Sequence, residues 1–346
     1  MRNKSILLAS AALSGALAFP ALASGAEAVT TPITGQGSSF VANFLDQCKV
    51  DAKTTKGINV TYQATGSGAG RQGYINGSVD FAGSDVPFSA NEAEQAAAKP
   101  FVYIPVVAGG VAIVYNVPGV RDVSLPGPVI AQIFAGKIVM WNDKAIAKSN
   151  PKAKLPKQVI KVIVRSDSSG TSSVFSSYLN SVDPASFAKG GLSTFPIPKV
   201  VGIGQKGSDG VANYVAGSQG KGAIGYVEQS YALERKLPTV AVLNAAGKAV
   251  RPTAVAVTAA LESAPVFPDG TIKIDHLTTN AAAYPISTTA YVIAPKTGDP
   301  GKRAALAAFL TEVSGPCQSK AAKLGYAPLP SSLQAAVVKS IAALSA

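Results

Sequence analysis

The sequence is poor in the residues that most hydrolases and metalloenzymes need. It contains a single histidine, His276, and two cysteines, Cys48 and Cys317. One histidine excludes a catalytic zinc site built on several imidazoles, and two distant cysteines do not form a metal cluster. Neither the nucleophile motif G-x-S-x-G nor the nucleotide-binding motif G-x-x-x-x-G-K-[ST] occurs. The sequence therefore argues against a hydrolase, and a structural or surface role is expected for His276.

Charged residues are also scarce, at 14%, whereas hydrophobic residues make up 47% of the 346 positions. This balance excludes a disordered protein, and the length suffices for two domains. The net charge is +12, and seven lysines lie between residues 137 and 161. A nucleic-acid groove interleaves such charge with stacking aromatic residues, and only Trp141 is nearby. A solvated face is the better interpretation, with no nucleic-acid partner.

Long apolar runs are missing after the N-terminus, so no later segment is predicted to span a membrane. Residues 1–23 have the pattern of a cleavable signal peptide. Arg2 and Lys4 precede an apolar stretch at 6–19, and small residues follow it at Ala21 and Ala23. Cleavage after Ala28 is a second possibility. No cysteine is near either cut, so we expect an exported protein without a lipid anchor.

The two cysteines of an exported chain suggest one disulfide, Cys48 to Cys317. Two unpaired buried thiols are the alternative. If the bridge forms, the two ends of the chain must lie in one domain.

We expect the chain to be organised around the stretch at 165–171, Arg-Ser-Asp-Ser-Ser-Gly-Thr. It follows an aliphatic run and precedes a helical apolar pattern, which predicts a strand end, a turn and a helix start. Helix starts carry unpaired N–H groups and attract anions, and Arg165 adds a permanent cation that Asp167 could hold in place. An ordinary helix cap with a surface ion pair is the alternative.

Similar turns occur elsewhere in the chain. Residues 35–40 lead into a helix that we expect Ser38 or Ser39 to cap, and residues 65–70 form a second glycine turn before a helix. A short strand ends at Ser84 and Asp85. Strands alternate with helices, which predicts an α/β fold with mostly parallel sheets and a ligand beyond the strand carboxyl ends. Two long β runs, 103–115 and 283–293, could carry the chain between two domains and back.

Taken together, these motifs resemble the periplasmic phosphate-binding proteins of phosphate-specific ABC transporters. The matching segments are 35–40 (Gly-Gln-Gly-Ser-Ser-Phe), 66–67 (Gly-Ser), 79–85 (Val-Asp-Phe-Ala-Gly-Ser-Asp), 165–171, 225–228 (Gly-Tyr-Val-Glu), 285–289 (Pro-Ile-Ser-Thr-Thr) and the region from Ile133 to Asp143. The resemblance covers nearly all of the mature chain. It implies a type II periplasmic-binding-protein fold, with two α/β lobes joined by two crossover strands and the ligand in the cleft. We expect lobe I at 24–107 plus 283–346, and lobe II at 108–282.

The resemblance also implies a binding set with no cofactor and no metal. Its members are Ser39, Phe40 through its backbone N–H, Ser67, Asp85 as acceptor, Arg165, Asp167, Ser169, Gly170 and Thr171. Ser39 stands where the family often has threonine, and Gly68 with Ala69 alters the turn after Ser67. The implied function is that of a monomeric periplasmic receptor, not an enzyme, which delivers inorganic phosphate to membrane permease subunits. A secreted phosphatase-like protein or a surface adhesion protein on the same scaffold is the alternative.

Overall fold

The computed structural model of the protein describes residues 31–262 and 264–344, so the predicted signal peptide lies outside the described residues. The strands are β1 (Ile33–Gly37), β2 (Val60–Gln63), β3 (Phe81–Ser84), β4 (Phe101–Asn116), β5 (Ser124–Pro126), β6 (Lys161–Arg165), β7 (Gly202–Gln205), β8 (Ala223–Glu228), β9 (Ala241–Leu243), β10 (Ala249–Val250) and β11 (Ser287–Pro295).

Helices separate most of these strands. They are α1 (Ala42–Lys56), α2 (Ser67–Asn76), α3 (Ala90–Ala96), α4 (Gly127–Phe134), α5 (Lys144–Ser149), α6 (Gly170–Val182), α7 (Gly207–Ala216), α8 (Gln229–Glu234), α9 (Ala254–Leu261), α10 (Pro300–Ser314), α11 (Gln318–Ala321) and α12 (Ser331–Ala342). Helix α1 ends at Gly57, whose left-handed backbone lets its N–H return to the carbonyls of Ala52 and Lys53.

An eight-stranded sheet organises the fold, in the order β2-β1-β3-β11-β4-β8-β6-β7. We call β2, β1, β3 and β11 its first half and β8, β6 and β7 its second half. Strand β1 is parallel to β2 and β3, and β6 is parallel to β7 and β8. Strand β11 is antiparallel to both of its neighbours. The expected parallel arrangement thus holds for β2, β1 and β3 and for β8, β6 and β7, whereas β11 and β4, which lie between these two groups, make only antiparallel pairs.

Strand β4 connects the two halves because it changes partner along its length. Its residues 101–110 pair with β11, and residues 111–116 pair with β8. The strand is rich in valine and isoleucine and is buried from Tyr103 to Tyr115, as expected for a strand covered on both faces. The division of the chain into lobes at 107/108 and 282/283 stays a prediction.

The disulfide between Cys48 and Cys317 is confirmed, with the two Cα atoms 5.7 Å apart, and it ties α1 to the start of α11. The second β run is shorter than predicted. The backbone N–H of Tyr284 donates to the Ala256 carbonyl instead of to a strand, and β11 begins only at Ser287.

Among the described helices, none has the length and apolar character to cross a bilayer.

Candidate functional site

The turns at the carboxyl ends of strands from both halves meet at one place. The turns after β1, β2 and β3 come from the first half, and those after β6 and β7 come from the second. Parallel strands place their carboxyl ends, and the helix starts that follow, at the same edge of a sheet. The buried polar residues gathered there are Ser38, Ser39, Ser67, Asp85, Arg165, Ser169, Thr171 and Ser208.

Asp85 lies at the centre of this group and is 2% exposed. Its carboxylate accepts hydrogen bonds from Ser38 Oγ and, at 3.1 Å, from Thr171 Oγ1 of the other half of the sheet. Its own N–H donates to Ser67 Oγ at 3.3 Å. Burial raises the pKa of Asp85 above its usual value, although these hydroxyls and the charge of Arg165 act in the opposite direction.

Arg165 is held by Asp167 in a bidentate ion pair, with Nε 2.7 Å from Oδ1 and Nη2 bonded to Oδ2. Asp167 also accepts from the Gly207 N–H at 3.0 Å. Burial acts to raise the pKa of Asp167, but the hydrogen bonds and charge of Arg165 outweigh it and leave that pKa lowered. The third guanidinium nitrogen, Nη1, is 3.4 Å from Ser208 Oγ. The carboxylate therefore fixes the plane of the guanidinium and leaves one edge for other partners.

Glycines allow the two halves to approach closely. The Gly68 N–H donates to the Ser168 carbonyl at 3.0 Å, and a side chain at Gly68 would overlap the Ser168 side chain. A Cβ at Gly170 would lie only 2.5 Å from Ser67 Oγ and 2.8 Å from Asp85 Oδ2. The backbone of each half thus lies directly against the polar groups of the other.

The start of α1 differs from the expected helix cap. Neither Ser38 nor Ser39 caps this helix, whose N-cap position is Val41. Ser38 Oγ instead accepts from the Phe40 N–H at 3.0 Å and donates to Asp85. The carboxylate, a stronger acceptor than a neutral oxygen, thus takes the Ser38 hydroxyl hydrogen. By contrast, Ser169 does cap α6, where its Oγ accepts from the Ser172 N–H.

All nine residues implied by the family resemblance lie at or beside this meeting point. Sequence reasoning did not include two further hydroxyls there, those of Ser38 and Ser208. Ser208 Oγ is 3.1 Å from Ser39 Oγ, and the Ser208 N–H donates to Ser39 Oγ at 3.2 Å, so this pair crosses between the halves. The signal was present in the stretch Lys-Gly-Ser-Asp-Gly at 206–210, which has the same glycine and hydroxyl pattern at a helix start.

Chemically, the group consists of many hydrogen-bond donors around one buried carboxylate. The Ser38 and Thr171 hydroxyls bond Asp85, the start of α6 packs against it at Gly170, and the charges of Arg165 and Arg71 act on it. Such a set suits a small oxyanion, and the carboxylate suits an oxyanion that still carries a hydrogen. The single histidine lies elsewhere, with Nδ1 2.8 Å from the Pro285 carbonyl and its ring against Tyr178.

Comparison with known proteins identifies the family to which this chain belongs. The profile described as PBP superfamily domain matches residues 22–316. The phosphate-binding protein PstS of Xylella fastidiosa strain Temecula1 is 38% identical over 306 residues, covering 87% of this chain and 82% of that protein. This chain belongs to the PstS family of phosphate-binding proteins. A second member, PstS2 of Mycobacterium bovis strain BCG, is 34% identical over 326 residues, covering 89% of this chain and 86% of that protein. The resemblance derived from the sequence is confirmed.

Solved structures show the fold of this family member. The periplasmic phosphate-binding protein PfluDING, solved with phosphate bound, superposes with a TM-score of 0.71 at 24% identity, covering 89% of this chain and 93% of that one. The phosphate-binding protein of Stenotrophomonas maltophilia gives a TM-score of 0.68 at 23% identity, with the same coverage. The type II periplasmic-binding-protein fold is therefore confirmed.

Proposed function

We propose that this chain is an extracytoplasmic receptor that binds inorganic phosphate between two lobes and delivers it to the permease of an ABC transporter. The observation that carries the proposal is Asp85, a buried carboxylate surrounded by donors from both halves of the sheet. The names of the relatives, all phosphate-binding proteins, support the same ligand.

The carboxylate explains how phosphate is distinguished from sulfate. At neutral pH phosphate keeps at least one P–OH group, which Asp85 can accept, whereas sulfate has no hydrogen to donate. Sulfate would place an oxygen against a buried carboxylate at a cost of roughly several kcal/mol, which corresponds to a discrimination of about 10³-fold or more.

The donors would be shared between the lobes. Ser39, Phe40 and Ser67 act from the first half of the sheet, and Arg165, Ser169, Gly170 and Thr171 act from the second, where Asp167 orients Arg165. Ser38 and Ser208 join them on geometric grounds. Because only the closed arrangement offers both sets of contacts, binding favours closure of the lobes.

The same arrangement is a poor basis for catalysis, so we propose that the protein is a receptor and not an enzyme. No imidazole contributes to the described site, and Asp85 is engaged by two hydroxyls. We further propose export by the signal peptide at 1–23, a periplasmic location and a monomeric state.

Equilibrium dialysis of the purified chain with radiolabelled phosphate tests the receptor directly. We expect one saturable site per chain, and no release of chromophore from a phosphate ester under the same conditions. Turnover of the ester, or the lack of saturable phosphate binding, would contradict the proposal.

A further inference from the structure

Two tyrosines hold the backbone of the loop that begins α1. Tyr231 Oη donates to the Ser39 carbonyl at 2.7 Å, and Tyr326 Oη donates to the Phe40 carbonyl at 2.7 Å. A trans peptide is planar, so the N–H that shares a peptide with a carbonyl points the opposite way. Fixing the Ser39 carbonyl therefore fixes the Phe40 N–H, which reaches Ser38 Oγ beside Asp85. Tyr231 thus orients the peptide that carries the Phe40 N–H of the proposed binding site, and Tyr326 holds the next peptide, which carries the Val41 N–H.

The hydrogen bonds continue from Tyr326 to a buried carboxyl group. Tyr326 Oη is 3.2 Å from Ser230 Oγ, where either oxygen can be the donor. Ser230 bonds Glu228 Oε2 through both its hydroxyl and its N–H, the latter at 2.7 Å. Ser230 Oγ also accepts from Asn43 Nδ2 at 2.9 Å. A continuous chain of polar groups therefore runs from Glu228 through Ser230 and Tyr326 to the Phe40 carbonyl.

The hydrogen bonds that these polar groups can form depend on whether Glu228 is protonated. The Tyr326 hydroxyl has one hydrogen, which it gives to the Phe40 carbonyl. If Glu228 is ionised, the Ser230 hydrogen goes to the carboxylate, and no hydrogen remains between Ser230 and Tyr326. If Glu228 is protonated, its hydrogen goes to Ser230 Oγ, and the Ser230 hydrogen is free to reach Tyr326. Oε2 can still accept the Ser230 N–H in that state. All the hydrogen bonds from Glu228 through Ser230 and Tyr326 to the Phe40 carbonyl can therefore form together only when Glu228 is protonated.

The surroundings of Glu228 favour the same state. The side chain is fully buried, and Oε1 has no hydrogen-bond partner within the described part of the chain. An ionised oxygen without a donor is costly in such a place. Burial raises the pKa of Glu228 to about 8, and the hydrogen bonds to its carboxyl group at the start of α8, those from Ser230 foremost, offset only part of this effect.

The groups that face Glu228 are neutral at physiological pH. Glu228 ends β8 immediately before α8, which supplies Ser230 and Tyr231, and Tyr326 follows α11. Strand β4 brings Gly109, where an added Cβ would lie 3.3 Å from Oε1, and α1 contributes Asn43 through Ser230. Burial and the Glu228 charge raise the pKa values of both tyrosines, so they remain protonated where Glu228 titrates. None of the groups that act most strongly on Glu228 is a cation.

We propose that Glu228 is a protonated positioning residue that, through Ser230 and Tyr326, holds the peptide between Phe40 and Val41 and thereby supports the neighbouring Phe40 N–H at the proposed phosphate site. This inference rests on the proposed function. When Glu228 loses its proton, Ser230 and Tyr326 face each other without a hydrogen, and Tyr326 is drawn away from the Phe40 carbonyl. The contribution of these hydrogen bonds to phosphate affinity is complete below the pKa of Glu228 and is lost as the pH rises through about 8.

Phosphate affinities of the wild type and Glu228→Gln, measured from about pH 6 to about pH 9.5, test this inference. Titration of phosphate itself affects both proteins equally, so it cancels in the ratio of their dissociation constants. Because glutamine does not titrate, the Glu228→Gln variant has no pH-dependent change at this position, whatever its phosphate affinity at low pH. We expect the wild type to weaken relative to Glu228→Gln by about fivefold above pH 8, the size of one neutral hydrogen bond. A ratio that is constant across this range would overturn the inference.

Two further variants complete the design. Glu234→Gln, on the exposed end of the same helix, should show a constant ratio to the wild type. Tyr326→Phe should bind phosphate less tightly than the wild type at low pH, and the two affinities should become equal above pH 8. This comparison remains available if Glu228→Gln does not fold. Divergence of these two proteins at high pH would equally contradict the inference. If the wild type binds no phosphate at any pH, the proposed function itself has failed.

Discussion

At the scale of single residues, Arg165 shows how a buried cation can be kept available for an anion. Its bidentate pair with Asp167 holds the guanidinium in one plane, and the Gly207 N–H steadies Asp167 in turn. Without Asp167, the charge of Arg165 would act uncompensated on Asp85, the acceptor that we propose for phosphate. The ion pair is thus part of the proposed specificity as well as of the affinity.

Replacing Arg165 with alanine removes the charge-assisted contact that we propose to the ligand and leaves Asp167 without its ion-pair partner. We expect Arg165→Ala to weaken phosphate binding by roughly 2 to 5 kcal/mol in a calorimetric titration. Arg251→Ala is the matched control, because Arg251 forms a partly exposed ion pair with Asp122. If Arg165→Ala lost less than about tenfold in affinity, Arg165 would not contact the ligand.

At the scale of elements, α2 and the turn before α6 meet with no room for side chains. The Gly68 N–H bonds the Ser168 carbonyl, and a Cβ at Gly68 would overlap the Ser168 side chain. A methyl group there must separate the two elements, and with them Ser67 and Thr171. The folded state should persist, because alanine favours a helix over glycine by about 1 kcal/mol.

We therefore expect Gly68→Ala to lower phosphate affinity by about tenfold or more with little change in melting temperature. Gly210→Ala is the control, since it also lies near the start of a helix, α7, but its nearest neighbour would be 3.6 Å away. Fluorescence titration with thermal melts of both variants makes the comparison. Equal affinities for the two variants would show that this close approach is not needed for binding.

The elements themselves were largely predictable from the sequence. Aliphatic runs and glycine turns placed β6, α6 and the crossover strand β4 within a few residues, and two cysteines sufficed for the disulfide. The pairings across the halves were not predictable, because Ser39 with Ser208 and Thr171 with Asp85 are 169 and 86 residues apart. The role of Ser38 was also missed, because a serine before a helix favours a cap unless a stronger acceptor such as Asp85 lies nearby.

At the scale of the whole molecule, the chain leaves and re-enters the first half of the sheet through β4 and β11. The disulfide strengthens this arrangement because it joins residues separated by 269 positions. In the chain-entropy model, closing so long a loop stabilises the folded state by roughly 5 kcal/mol. Both cysteines are buried, Cys48 within α1 and Cys317 immediately before α11.

The double variant Cys48→Ser, Cys317→Ser should therefore lose stability without losing its ligand. We expect a decrease of several kcal/mol in the free energy of unfolding by urea, up to the roughly 5 kcal/mol of the entropy model. Phosphate affinity at low temperature should stay within about twofold of the wild type. A large loss of affinity in the folded variant would mean that the bridge also shapes the site.

The central claim is that Asp85 selects its ligand by the hydrogen that phosphate retains, and calorimetry with phosphate and sulfate at neutral pH tests it most directly. The wild type should prefer phosphate by about 10³-fold or more. In Asp85→Asn, whose amide can donate to either anion, that preference should fall to about tenfold or less, with a gain in sulfate affinity. Comparable binding of both anions by the wild type, or an unchanged preference in Asp85→Asn, would contradict the account.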